Sequence, residues 1–210
     1  MLLVLARHGN TFTSEDTPVW VGAKEDLPLT ERGLAQSRQI GAALLSAHHH
    51  PDRIIAGPLK RTRIGAELAG EACGFTGEIE IDERLKEIDY GQWGGKSDED
   101  IAAQWGQQAI DNWREKNIAP NDAGWSPSPD ELAANAKAVF EDATSDLSDD
   151  HLVLVLTSNG ILRYFHPLLT TGLGGHVDPK VKTGHWCVAE ITTQSTRLLC
   201  WNDKPSAEVF

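Results

Sequence analysis

Two short runs constrain the fold more than any other feature of the sequence. Residues 2–6 read LLVLA and residues 152–156 read LVLVL. A strand with one wet face alternates apolar and polar residues. An unbroken apolar run instead fits a strand covered on both faces, as in a parallel sheet flanked by helices. Each run passes at once into a polar turn: Arg7-His8-Gly9-Asn10-Thr11 after the first, Thr157-Ser158-Asn159-Gly160 after the second.

The segments between them read as alternating helices and strands. Residues 30–47 carry Leu34, Gly41, Leu44 and Leu45 on one side of a helix. RIIA at 53–56 is a short strand. Pro58 suits the first turn of a helix that runs to about residue 72. EIEID at 78–82 alternates as a strand does. Residues 97–116 read as one helix, with Ile101, Trp105, Ala109 and Trp113 at four-residue steps. Residues 117–129 read as a loop. Ser128-Pro129-Asp130-Glu131 is a helix start, with Ser as cap and Glu three residues on. Its stripe runs Leu132, Ala136, Val139, Phe140, Ala143, Leu147. A helix follows over 160–170, bent or shortened by Pro167. Residues 185–192 and 196–202 form a hairpin turning near Gln194-Ser195. This order predicts an α/β three-layer αβα sandwich with a mostly parallel sheet, and ligands beyond the carboxyl ends of its strands.

The 210 residues fit a single domain, 1–210, with residues 92–130 as a small helical cap inserted into it. The net charge is −12, and no basic stripe is present, so nucleic acid is not expected as a partner. An anionic small molecule remains compatible, because a few arginines can focus field in a pocket of an acidic protein. The first apolar run is too short to span a membrane. Three cysteines, 73, 187 and 200, without paired or metal-type spacing, fit free thiols in a reducing compartment. A cytoplasmic protein is expected, with its oligomeric state open. His48-His49-His50 ends a helix before Pro51, where imidazoles suit the helix dipole better than a metal.

Five ordered elements then carry a family resemblance. Arg7-His8-Gly9-Asn10-Thr11 resembles the Arg-His-Gly-X-Thr signature of the histidine phosphatase superfamily, the phosphoglycerate-mutase-like proteins. LPLTERGLAQSRQIGAAL (27–44) resembles its Leu-(Thr/Ser)-X-X-Gly helix. AGPLKRTRIGAEL (56–68) and LKEIDYGQWGG (85–95) resemble its next two elements, and VLTSNGILR (155–163) its last. The resemblance implies a phosphoglycerate-mutase-like fold with one antiparallel edge strand. It implies phosphoryl transfer through a phosphohistidine at His8, without metal or cofactor.

The chemistry of these residue types agrees. A covalent phosphoryl transfer needs a nucleophile, cations for the equatorial oxygens and an acid for the leaving oxygen. His8 is the candidate nucleophile. Arg7 and Arg61 offer planar forks for phosphate oxygens. Glu87 is the candidate general acid, its pKa expected to be raised. Asn10, Asn159 and Gly160 complete the expected phosphate-binding set.

At Asn159 the family carries a second histidine. Asn still donates through its NH2 group but holds no charge, and charged hydrogen bonds are about twice as strong. Asn is also a preferred N-cap. His185 is read as the start of a strand rather than a replacement. The expected function is a metal-independent phosphatase for a small phosphorylated metabolite. Phosphoglycerate-mutase-type transfer is the alternative, and Glu115 is expected to disfavour it by repelling a substrate carboxylate. A weakly catalytic phospho-ligand binder is the alternative that Asn159 raises.

Overall fold

The computed structural model describes every residue except 146–147, 149–150 and 172–176. A six-stranded sheet has the order β3-β2-β4-β1-β5-β6. It comprises β1 (Leu2–Arg7), β2 (Arg53–Ala56), β3 (Ile79–Ile81), β4 (Leu152–Thr157), β5 (Trp186–Ile191) and β6 (Thr196–Asp203). The β1, β2, β3 and β4 pairings are parallel; β5 runs antiparallel to β1 and to β6. The single reversed strand, β5, is therefore one in from the edge, and β6, reversed again, is the edge.

The two apolar runs lie side by side at the centre, in register from Leu2 opposite Leu152 to Arg7 opposite Thr157. Their side chains alternate between two cores. Leu3, Leu5, Val153 and Val155 point to one face, with Ile161 and Phe165; Val4, Ala6, Leu154 and Leu156 point to the other, with Ile40 and Leu44. Both faces being dry, no polar residue interrupts either run.

Helices α1 (Glu31–Ser46) and α2 (Lys60–Cys73) cover the second face; α5 (Pro129–Ala143) and α6 (Asn159–Thr170) cover the first. In α1 the buried side is Gly33, Ser37, Ile40, Gly41, Ala43 and Leu44. Leu45 faces solvent, being one residue off that face, and is 46% exposed. Gly41 has no room for a side chain: a Cβ there would lie 2.0 Å from the Ala69 carbonyl oxygen of α2.

The Ser128–Glu131 capping box is present in both directions, with Pro129 in the first turn of α5. Leu147, expected at the end of its stripe, lies outside the described residues. Pro58 precedes the α2 cap, Leu59, so it is not in the first turn. Pro167 lies inside α6, which continues to Thr170.

The expected single helix over 97–116 is two, α3 (Asp98–Trp105) and α4 (Gln107–Lys116). Gly106 separates them at φ +80°, ψ +150°, a conformation that a side chain would strain. Trp93 and Trp125 pack edge to face, as do Trp113 and Trp125, with ring centroids 5.2 and 4.8 Å apart. This aromatic cluster joins the 91–125 segment to the core of the α5/α6 face. Trp113 is buried in it, and Trp105 packs at its edge beneath Lys96.

The cysteines are free and buried. Among the described residues no helix is long and apolar enough to cross a membrane, and no His, Cys, Asp and Glu cluster is suited to a metal. His49 stacks on Phe210, and His50 faces the Cys73 carbonyl.

Candidate active site

The site forms where β1 and β4 end together. Their register puts Arg7 opposite Thr157, and the His8 N–H donates to the Thr157 carbonyl at 3.0 Å. Two glycines bring the start of α1 against this turn. A Cβ on Gly9 would lie 2.2 Å from the Gly33 carbonyl oxygen, and one on Gly33 would lie 2.2 Å from that of Asn10. The Leu-Thr-X-X-Gly pattern thus has a steric origin: Thr30 caps α1, its own N–H donates to Asn10 O, and Gly33 permits the approach.

His8 is 5% exposed. Its Nδ1 lies 2.7 Å from the Gly9 carbonyl, which can only accept, so Nδ1 carries the proton. Nε2 is left with a lone pair. Burial, then the charges of Arg7 and Arg61, hold the His8 pKa well below its ordinary 6.5. His8 is therefore a neutral imidazole with a fixed tautomer, the state a nucleophile requires.

Arg7 donates through Nη1 to the Val181 carbonyl at 2.7 Å, while its buried Nε has no partner among the described residues. Arg61 is buried, its Nη1 and Nη2 donating to the carbonyls of Glu25 and Gly22. Its charge is felt at both His8 and Glu87.

Glu87 is 6% exposed and sits on the first turn of α6. Its Oε1 accepts from the Ile88 N–H at 2.9 Å and its Oε2 from the Gly160 N–H at 3.3 Å. Burial raises its pKa; Arg61, the two N–H groups and Arg7 oppose the rise without cancelling it. The Gly160 N–H, expected to face phosphate, is thus committed to Glu87.

The cap of α6 is Ser158, with Asn159 the first helical residue, so Asn159 is not the N-cap. Its Oδ1 instead accepts from the Val181 N–H at 2.8 Å. Because an N–H can only donate, the amide orientation is fixed, and Nδ2 is left as a donor without a partner among the described residues. Asn10 is held in the same manner: its Oδ1 accepts from Thr183 and its N–H donates to Gln36. His185 faces the Asn202 carbonyl and does not replace a histidine at 159.

A cleft of about 640 Å³ opens over this turn. Arg7, Glu87, Tyr90, Asn159 and Arg163 line its base; Trp20, Asp98, Trp113, Arg114 and Lys180 are among its outer wall. His8, Arg61, Asn10 and Gly160 do not line it. Tyr90 and Arg163 were not expected on the site from sequence. Their spacing offered a signal: Tyr90 follows Glu87 by three residues, and Arg163 follows Asn159 by one helical turn. Glu115 is not among the residues lining the cleft; it lines an adjoining groove with Lys116 and Asn117, and Arg163 borders both. The acid that meets the cationic wall is Asp98, bonded to Arg114 Nη2 at 2.6 Å and to the Trp20 indole N–H at 2.8 Å.

Residues 3–204 match the histidine phosphatase superfamily (branch 1). The chain is 33% identical over 128 residues to a 2,3-bisphosphoglycerate-dependent phosphoglycerate mutase of Azorhizobium caulinodans, covering 57% of this chain. It is 35% identical over 133 residues to one from a Methylobacterium species, covering 60% of this chain. It spans 58% and 60% of those relatives' lengths. In fold it is similar to a mycobacterial glucosyl-3-phosphoglycerate phosphatase, with a TM-score of 0.77, 21% identity, and 97% and 99% of the two chains covered. The alpha-ribazole phosphatase of Shigella flexneri gives a TM-score of 0.73 and 19% identity, with 98% of each chain covered. The ordered motifs, the fold and the match over nearly the whole chain make this protein a member of the histidine phosphatase superfamily.

Proposed function

We propose that the protein is a metal-independent phosphatase acting on a small phosphorylated metabolite through a phosphohistidine at His8. The observation that carries this reading is the His8 Nδ1–Gly9 carbonyl contact at 2.7 Å, which leaves Nε2 unprotonated in a buried, cationic setting.

In the first step Nε2 attacks phosphorus and the bond from phosphorus to the ester oxygen breaks. Glu87, whose pKa burial raises, gives its proton to the departing alkoxide. Arg7, Arg61 and the Asn159 amide balance the charge of the equatorial oxygens. In the second step water attacks the phosphohistidine and Glu87 takes the proton released. The N–P bond breaks, orthophosphate leaves, and the His8 lone pair is restored. No metal or cofactor enters either step, and the proposed partner is a small phosphorylated metabolite.

Mutase-type transfer remains as a second reading, favoured by the identity of the curated relatives. Against it stands the wall of the cleft, where Asp98 neutralises Arg114 and Glu99 adds a further carboxylate. A second anionic group on a substrate meets less positive charge there than the arginine alone suggests. Turnover of a panel of phosphate monoesters, with and without EDTA, tests the proposal. Release of orthophosphate insensitive to EDTA is expected. Interconversion of 2- and 3-phosphoglycerate without orthophosphate release supports the mutase. Binding without either reaction supports the phospho-ligand binder.

A further inference from the structure

Arg163 is 2% exposed, and no carboxylate is bonded to it among the described residues. An unpaired buried charge is costly unless its donors are satisfied. Here Nη1 donates to the Trp113 carbonyl and Nη2 to the Arg114 carbonyl, both at 3.0 Å, while the buried Nε has no partner among the described residues. The guanidinium also lies 5.1 Å from the centre of the Trp113 ring.

Both carbonyls belong to the last turn of α4, where helix acceptors lose their partners. Asn117, left-handed at φ +57°, ends the helix and gives its N–H to Trp113 O. The next N–H, that of Ile118, turns back to Asn112 O, so the Arg114 carbonyl depends on Arg163. A cation suits this negative helix end. A planar fork spans two successive carbonyls, which the single ammonium of lysine does not do as well.

The same residue is one turn along α6 from Asn159. One helix therefore carries a donor of the site and the anchor of α4, whose Trp113 and Arg114 form the cleft wall. We propose that Arg163 is a specificity-determining positioning residue, fixing α4 so that this wall reads the part of the substrate beyond the phosphoryl group. The proposal rests on the phosphatase reading above.

The test compares the wild-type protein with Arg163→Lys on two esters. Ethyl phosphate ends before the wall; p-nitrophenyl phosphate presents a ring to it. In Arg163→Lys the ratio of kcat/KM for the aryl ester over the ethyl ester should fall at least tenfold, mainly through KM. Hydrogen exchange of amides 97–118 in the unliganded protein should quicken while β1 and β4 stay protected. Unaltered exchange in 97–118 overturns the anchor. Faster exchange with an unaltered ratio, or equal losses on both esters, overturns the specificity role. Dissociation constants for both esters, measured by calorimetry, carry the same ratio if the wild type cleaves neither. Failure of the phosphatase reading is thus distinct from failure of this one. Arg163→Gln, which reaches one carbonyl, takes its place if the lysine variant does not fold.

Discussion

Asn159 and Val181 are joined by a 2.8 Å hydrogen bond from the Val181 N–H to Asn159 Oδ1, while the Val181 carbonyl accepts from Arg7 at 2.7 Å. The backbone of one residue thus orients two side chains of the cleft. It gives position 159 the character of a neutral donor. A histidine placed there would accept from Val181 through one nitrogen and donate through the other, without charge.

Asn159→His is therefore expected to change kcat/KM by less than about tenfold, 1.4 kcal/mol. It should add no ionisation near pH 6.5 to the rate profile. Asn159→Asp keeps the acceptor but loses the donor and adds repulsion, and should lower kcat/KM by about 10²–10³. Asn159→Ala should cost about 0.5–1.5 kcal/mol of stability through the lost bond to Val181. Steady-state pH profiles and denaturant titrations check these outcomes. A large gain on Asn159→His with a new titration would mean that a cation is missing from the site.

Gly160→Ala tests the seat of the acid. The added Cβ would lie 2.2 Å from Glu87 Oε1 and 2.8 Å from the Tyr90 hydroxyl, so the carboxyl must move. Overpacking of this kind costs about 1–3 kcal/mol. Turnover of alkyl phosphates should fall by about 10²-fold, the usual scale of lost acid catalysis. Wild-type kcat in a folded Gly160→Ala protein would show that the carboxyl position is unimportant.

Glu87→Gln should harm alkyl phosphates far more than aryl phosphates, whose leaving oxygens need little protonation. It should also remove the alkaline limb of the kcat/KM profile, since the acid must be protonated. Equal losses on both ester classes would assign Glu87 to uniform binding.

The two buried groups act on stability in opposite directions. His8 has a lowered pKa, so the folded protein holds fewer protons there than the unfolded chain does below pH 6.5. Its contribution is lost as pH falls below 6.5. Glu87 has a raised pKa, so its favourable contribution is present below 4.5 and is lost as pH rises through the folded value. Glu87→Gln should thus raise the melting temperature at neutral pH, with the gain vanishing below pH 4.5. An unchanged melting temperature at pH 7 would contradict the buried, raised-pKa carboxyl.

Much of this was legible in the chain because the signals were local. The runs at 2–6 and 152–156 announce strands dry on both sides, and the Ser128–Glu131 box announces its helix. The break at Gly106 was hidden because apolar residues continue at helical steps across it. Ser158 rather than Asn159 caps α6 because the Asn159 amide is drawn to Val181, twenty-two residues on, a contact that local propensity does not record. The places of Tyr90 and Arg163 at the cleft base, the absence of Glu115 from its lining and the pairing of Arg114 with Asp98 depend on how 91–125 folds over the sheet, and short-range patterns do not carry that information.

The central claim is the nucleophilic role of His8 Nε2, and labelling with an alkaline quench tests it most directly. With a 32P-labelled monoester in excess, the wild-type protein should retain acid-labile, base-stable label on His8, in the presence of EDTA. His8→Ala should retain none and show no turnover. Unlabelled protein during steady turnover, or near-native turnover by His8→Ala, would contradict the account.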